Sequence, residues 1–158
     1  MHRITLAIAL LAGATAGASP APPLQVRAPV GAPNVVVVLL DDVGFGAAAT
    51  FGGPAETPTL DALAHEGLRY NRFHTTGICS PTRASLLSGR NAHAVGIGAV
   101  MNSADERPGY TGVHAPDAAT IAEVLRRNGY NTAAFGKWHQ TADWEISQSG
   151  PFDRWPTG

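Results

Sequence analysis

The chemically most distinctive residue of this 158-residue chain is Cys79, its only cysteine. Pro81 follows it by two positions and Arg83 by four. Because proline suits the first turn of a helix, where its missing N–H costs nothing, we expect Cys79 to lie just outside a helix N-terminus. The free N–H groups and the positive dipole end of that helix would favour a bound anion and the Cys79 thiolate. The position therefore predicts a reactive cysteine.

Asp41 and Asp42 form a second candidate site, directly after an apolar, β-branched run. Adjacent carboxylates repel each other unless a cation or a base neutralises them. Calcium and magnesium prefer oxygen ligands, and the pair supplies two of the roughly six that calcium takes. The alternative is a turn in which one acid caps backbone N–H groups, and an isolated Asp-Asp pair favours that interpretation.

Lys137 and His139 form a third candidate site. They are two residues apart, so on an extended segment their side chains point the same way. Such a pair can hold two oxygens of a bound oxyanion or hold its nucleophile. The alternative is a solvated lysine and a surface histidine.

Three helices and three strands must position these side chains. One helix is predicted to begin at Thr57 and end at Gly67, a second follows Cys79, and a third begins at Thr120 and ends at Gly129. An apolar, β-branched run predicts a strand over residues 34–40, and residues 68–74 and 130–135 are interpreted as two further strands. Residues 91–115 are rich in glycine and polar residues and are predicted to form a long loop.

Alternation of strands and helices predicts an α/β fold with a mostly parallel sheet and helices on both faces. Ligands of such sheets bind outside the carboxyl ends of the strands. The Asp-Asp pair follows the first predicted strand, the segment with Cys79 and Arg83 follows the second, and the Lys/His pair follows the third. We therefore expect all three clusters at the same edge of the sheet.

These clusters resemble the signatures of the sulfatase family. Cys-x-Pro-x-Arg at residues 79–83, continuing to Gly89-Arg90, resembles the first signature, and residues 129–139 resemble the second nearly throughout. Ser88 and Phe135 are mild departures from those patterns. The three clusters occur in the family's order, and residues 75–79 and 150–158 are most similar to bacterial arylsulfatases.

The resemblance implies an alkaline-phosphatase-like fold and an arylsulfatase-type hydrolase of sulfate esters. It implies that a sulfatase-maturing enzyme oxidises Cys79 to formylglycine (3-oxoalanine), whose hydrate attacks sulfur. Calcium, with magnesium as the alternative, would be bound by Asp41, Asp42 and residue 79. Arg83, Lys137 and His139 would surround the nucleophile, with Lys137 and His139 also binding the sulfate of a small-molecule ester or a sulfated glycan.

The family's catalytic domain is several hundred residues long, and its further metal ligands and leaving-group residues come from later strands. We therefore expect residues 34–158 to be the N-terminal portion of that domain, with an incomplete sheet and no activity of its own. Two alternatives stay open. One is a phosphonate or phosphate ester hydrolase of the alkaline-phosphatase-like superfamily, and the other is a non-catalytic truncated product in which Cys79 stays a thiol. A Cys-His thiol hydrolase is disfavoured, because the sequence identifies no partner that would orient the histidine.

The N-terminus has the layout of a signal peptide over residues 1–18, followed by a Pro/Ala-rich leader over 19–33. Its apolar stretch, Ile4 to Ala12, is well short of the roughly 20 residues that span a bilayer. We therefore expect export to the periplasm or the medium without a stable membrane span. The formal net charge of -1 and the single lysine argue against a nucleic-acid partner.

Overall fold

A computed structural model describes residues 27–147. The predicted signal peptide and residues 19–26 of the predicted leader lie outside these residues. Within the described part, the α-helices are α1 (Pro58–Glu66), α2 (Cys79–Ser88) and α3 (Ile121–Arg127). Short 3₁₀ helices span Ala49–Phe51, Ala92–Val95, Met101–Ser103 and Asp143–Glu145. None of the described helices is long and apolar enough to cross a membrane.

Helix α1 confirms the predicted start and stop signals. Thr57 occupies the N-cap position, although its side chain makes no capping hydrogen bond, and Pro58 is the first residue and Gly67 the C-cap. The Gly67 N–H donates to the Leu63 carbonyl at 2.8 Å, which closes the last turn.

Helix α2 begins one residue earlier than predicted. Cys79 is its first residue and the extended Ile78 is its N-cap, so the expectation that Cys79 lies just outside the helix was wrong. Pro81 is the third residue, a position whose N–H has no partner inside a helix, so the proline is accommodated there equally well. The helix ends at Gly89, whose φ of 67° places it in the left-handed region that glycine tolerates.

Helix α3 confirms the predicted N-terminal cap. The Thr120 hydroxyl oxygen accepts a hydrogen bond from the Glu123 N–H at 3.2 Å. Asn128 caps the other end, and Gly129 follows with a φ of 85°. The local rules of helix capping therefore hold at both ends of this short element.

The predicted sheet is not confirmed. Residues 34–40, 68–74 and 130–135 form no β-ladder with any described residue, and one isolated parallel bridge, Ala48 to Ala55, is present in the described part. A strand requires a neighbour to accept and donate its backbone hydrogen bonds. The described residues supply no such neighbour, and Val36 and Phe135 are 83% and 95% exposed. The apolar residues of these segments thus indicate that they would be buried in a sheet, but the described residues do not cover them.

The predicted loop over residues 91–115 builds most of the buried core. It has no regular structure beyond two 3₁₀ turns, but it folds back on itself through backbone hydrogen bonds. Gly96 permits this, because its φ is 84° and a Cβ there would lie 2.4 Å from the Val113 carbonyl oxygen. The core cluster contains Ala84, Ala92, Val95, Ile97, Met101 and Ala118. Because Ala84 belongs to α2, this core holds the helix that carries Cys79.

Candidate active site

Cys79 and His139 come together at the start of α2. The Cys79 Sγ lies 3.1 Å from the His139 Nδ1, although 60 residues separate them in the sequence. Cys79 is partly exposed and is not in a disulfide. A thiol or thiolate therefore contacts an imidazole, and a ligand can reach both.

Asp41, Arg83 and Lys137 form a second group beside this pair. The Arg83 Nη2 donates to Asp41 Oδ2 at 2.5 Å, and the Lys137 Nζ donates to Asp41 Oδ1 at 2.7 Å. The Arg83 Nη1 also donates to the Lys137 backbone carbonyl. Two cations face one carboxylate, so the group retains a positive charge.

The contacts hold these side chains in defined charge states. Hydrogen bonds from Lys137 and then Arg83 lower the pKa of Asp41, and the hydrogen bond to Asp41 raises the pKa of Lys137. Partial burial, followed by the positive charges of Lys137 and Arg83, lowers the pKa of His139. Asp41 and Lys137 are therefore charged near neutral pH, and His139 favours its neutral form.

Both non-glycine residues with a positive φ in the described part belong to the candidate site. Asp42 has a φ of 56° and His139 a φ of 54°. Such a conformation costs about 1–3 kcal/mol and persists where the surrounding structure enforces it. Strain at these two positions supports a functional role for the turns that carry them.

Gln140 and Ser80 belong to the same assembly, and sequence reasoning missed both. Gln140 is 1% exposed, and its Nε2 donates to the Ser80 carbonyl at 2.8 Å and to the His139 carbonyl at 2.7 Å. No spacing or composition signal distinguishes a glutamine that follows a histidine from a surface residue. The contact between the start of α2 and residue 139 identifies it.

Comparison with known proteins identifies the family to which the chain belongs. A family model described as Sulfatase matches residues 33–158. The chain belongs to the sulfatase family. Arylsulfatase A of Bos taurus is 38% identical over 137 residues, which are 85% of this chain and 24% of that protein. The arylsulfatase of Klebsiella aerogenes is 36% identical over 109 residues, 68% of this chain and 24% of that protein. Arylsulfatase G of Mus musculus is 43% identical over 117 residues, 73% of this chain and 21% of that protein.

The chain thus spans between a fifth and a quarter of the length of these sulfatases. Membership of the sulfatase family implies the alkaline-phosphatase-like fold that the signatures predicted. The sheet of that fold is not formed among residues 27–147. The site residues are nevertheless brought together by turns and by α2.

Of the predicted sulfatase site residues, five meet in the structure: Asp41, Cys79, Arg83, Lys137 and His139. The sixth, Asp42, is exposed and makes no hydrogen bond with a described residue, but its charge contributes to the raised pKa of Lys137. The structure therefore places Asp42 within electrostatic range of the group without a direct contact.

The residues that would hold the metal of a sulfatase fit a hard cation in type but are too few. Asp41 and Asp42 offer carboxylate oxygens, which calcium and magnesium prefer, whereas calcium takes about six to eight ligands. Residues 27–147 contain no group of three histidine, cysteine, aspartate or glutamate side chains that could hold an ion. In the structure, Arg83 and Lys137 donate hydrogen bonds to Asp41 and so reduce the repulsion between the two carboxylates. Basic side chains thus neutralise the pair, as the sequence allowed besides a bound cation.

Proposed function

We propose that the protein hydrolyses sulfate esters of the aryl type through a formylglycine nucleophile made from Cys79. Residues 34–158 would be the N-terminal portion of the catalytic domain. The observation that carries the proposal is the convergence of Cys79, His139, Lys137 and Arg83 from segments far apart in the sequence. Relatives with sulfatase names and the family match support the same reaction class.

The electrostatics suit a sulfate group at this position. Arg83 and Lys137 place two cations at this position beside Asp41, and the N-terminus of α2 adds N–H groups and a positive dipole end beside residue 79. Donors fixed by Asp41 do not reorganise when negative charge develops on sulfate oxygens. Lys137, which is 44% exposed, would bind the sulfate, while the more buried Arg83 fixes the group.

His139 suits proton transfer at residue 79. Its Nδ1 lies within hydrogen-bond distance of the Cys79 side chain, and its lowered pKa favours the neutral imidazole that can accept a proton. The neighbouring cations oppose its protonation without forming a hydrogen bond with it. We propose that His139 exchanges a proton with the group that residue 79 carries and helps to bind the sulfate.

Two groups complete the proposal. Formylglycine supplies, when hydrated, one hydroxyl to attack sulfur and a second to release sulfate by C–O cleavage. Calcium, or magnesium, would be held by Asp41, Asp42 and residue 79 together with ligands from outside the described residues, and would supply Lewis-acid charge. The modification requires a sulfatase-maturing enzyme as a partner.

The test uses the protein as its gene encodes it, produced with a formylglycine-generating enzyme. Mass spectrometry of the peptide containing residue 79 should detect the aldehyde in place of the thiol. Aryl sulfate should then turn over faster than aryl phosphonate. An unmodified thiol under these conditions contradicts the formylglycine proposal, and faster phosphonate turnover assigns the site to phosphonate esters instead.

Two variants separate the nucleophile from general damage to the fold. Cys79→Ser should lose turnover, since a serine would form a stable sulfate ester. Arg126→Gln, on the exposed side of α3, should keep wild-type turnover and serves as the matched surface control. Equal losses in both variants would refute the assignment of the nucleophile.

The place of action follows from the predicted signal peptide. We propose that the protein acts in the periplasm or outside the cell, on small sulfate esters or sulfated glycans. The mature protein should begin at residue 19. N-terminal sequencing of the exported protein measures this, and an intact residue 1 would contradict it.

A further inference from the structure

Gln140 is the buried polar side chain that joins the two halves of the candidate site. It is 1% exposed, and its amide lies between the carbonyl of Ser80 in α2 and the carbonyl of His139. Both acceptors are oxygens, so the NH2 end of the amide must face them. The Gln140 Oε1 has no hydrogen-bond partner among the described residues, so these two hydrogen bonds alone fix the amide.

The two carbonyls belong to segments that carry the two members of the Cys79–His139 contact. Ser80 directly follows Cys79 in α2, and His139 provides the imidazole. One side chain therefore ties the backbone of the nucleophile to the backbone of the histidine. Ser80 is itself fully buried, so the helix side of this connection is held by packing as well.

The backbone conformation of His139 is one that such a hydrogen bond can help to hold. Its φ of 54° is disfavoured for a residue with a side chain, and a peptide free to relax would leave that region. If the backbone of His139 were extended instead, its imidazole would leave the backbone in a different direction from the one observed. The hydrogen bond from Gln140 to the His139 carbonyl opposes that relaxation.

We infer that Gln140 is a positioning residue, which holds the His139 imidazole against residue 79 by bridging the Ser80 and His139 carbonyls. Its role in turnover rests on the sulfatase function proposed above. Its effect on the geometry of the thiol and the imidazole does not, so the two can be tested separately.

The first experiment is a double-mutant cycle on the unmodified thiol. The protein is produced without a maturing enzyme, and alkylation of Cys79 by iodoacetamide at neutral pH is followed by mass spectrometry of its peptide. His139→Ala should slow alkylation, because the imidazole assists loss of the thiol proton. Gln140→Met, similar in size but without donors, should slow it by about tenfold, a typical coupling between residues in one network. The double variant should react no more slowly than His139→Ala.

Additive effects of the two substitutions would overturn the inference, because they would mean that Gln140 acts independently of His139. An unchanged rate in Gln140→Met would overturn it equally. Gln140→Asn retains the amide but is too short to span both carbonyls, and it takes the place of the methionine variant in the cycle if that variant fails to fold. It should show the same coupling to His139.

A structural control and a catalytic readout complete the test. Thr120→Val removes the buried cap of α3, so it should lower stability without changing the alkylation rate. A slowed rate in this control would attribute the Gln140 effect to general loosening of the fold and overturn the inference.

In the matured protein, Gln140→Met should lower kcat for an aryl sulfate with little change in KM. If the cycle shows coupling but no aryl sulfate turns over in any variant, the sulfatase proposal fails and the positioning role stands.

Discussion

Replacement of Arg83 by lysine tests the central group of the site without removing a positive charge. Arg83 uses two nitrogens for two acceptors, the Asp41 carboxylate and the Lys137 carbonyl. A lysine ammonium on its flexible stem cannot reproduce this planar fork, so one contact is lost. A hydrogen bond to a charged group contributes about 1.5–3 kcal/mol. We expect kcat/KM for an aryl sulfate to fall by roughly 10- to 150-fold in Arg83→Lys.

The assay must separate catalysis from maturation, because Arg83 also belongs to the Cys-x-Pro-x-Arg signature. The rate is therefore divided by the fraction of residue 79 present as the aldehyde, measured by mass spectrometry of its peptide. Arg126→Lys provides the matched substitution at an exposed position of α3. A wild-type kcat/KM per aldehyde in Arg83→Lys would refute the reasoning, because it would mean that charge alone suffices and the two-acceptor geometry is irrelevant.

Three further predictions concern stability. Because the pKa of Asp41 is lowered in the folded state, its contribution is present above its unfolded pKa and is lost as the pH falls through its folded pKa. Asp41→Asn should therefore flatten the acid limb of the unfolding free energy measured by urea titration, and an unchanged limb would contradict this. Thr120→Ala should lower the unfolding free energy by about 1 kcal/mol in the same titration through loss of the α3 cap, whereas a neutral effect would mean that the cap is dispensable. Gly96→Ala should lower the midpoint of thermal unfolding, because residue 96 has a positive φ and the new Cβ would meet the Val113 carbonyl. Gly46→Ala is the control, because its Cβ would enter open space. Equal midpoints for the two variants would contradict the prediction and show that the loop relaxes around residue 96.

Local signals in the sequence predicted the helices because the information that sets a helix end is local. Pro58 sets the first turn of α1, the Gly67 N–H closes its last turn, and the Thr120 cap reaches a residue only three positions ahead. A strand depends on a partner elsewhere in the chain. The run over residues 34–40 has the right composition, but composition contains no information on whether its partner lies among residues 27–147.

The same distinction applies to the site. The sequence identified Asp41, Cys79 and Lys137 by residue type, position after apolar segments and family resemblance. It could not predict that Asp41 accepts hydrogen bonds from Lys137 and Arg83, which lie 96 and 42 residues away. The role of Gln140 was equally inaccessible, since it depends on which carbonyls face a buried amide in three dimensions.

Helix α2 explains how a site can be ordered beside segments that form no sheet with any described residue. Residues four apart in a helix share a face. Ser80 and Ala84 form one such pair, and both are fully buried against the loop core and Gln140. Cys79 and Arg83 form the adjacent pair and contact the site. The register of α2 therefore couples burial of Ser80 and Ala84 to placement of Cys79 and Arg83 at the site, so the core built by the loop after the helix sets the direction of the nucleophile and its arginine.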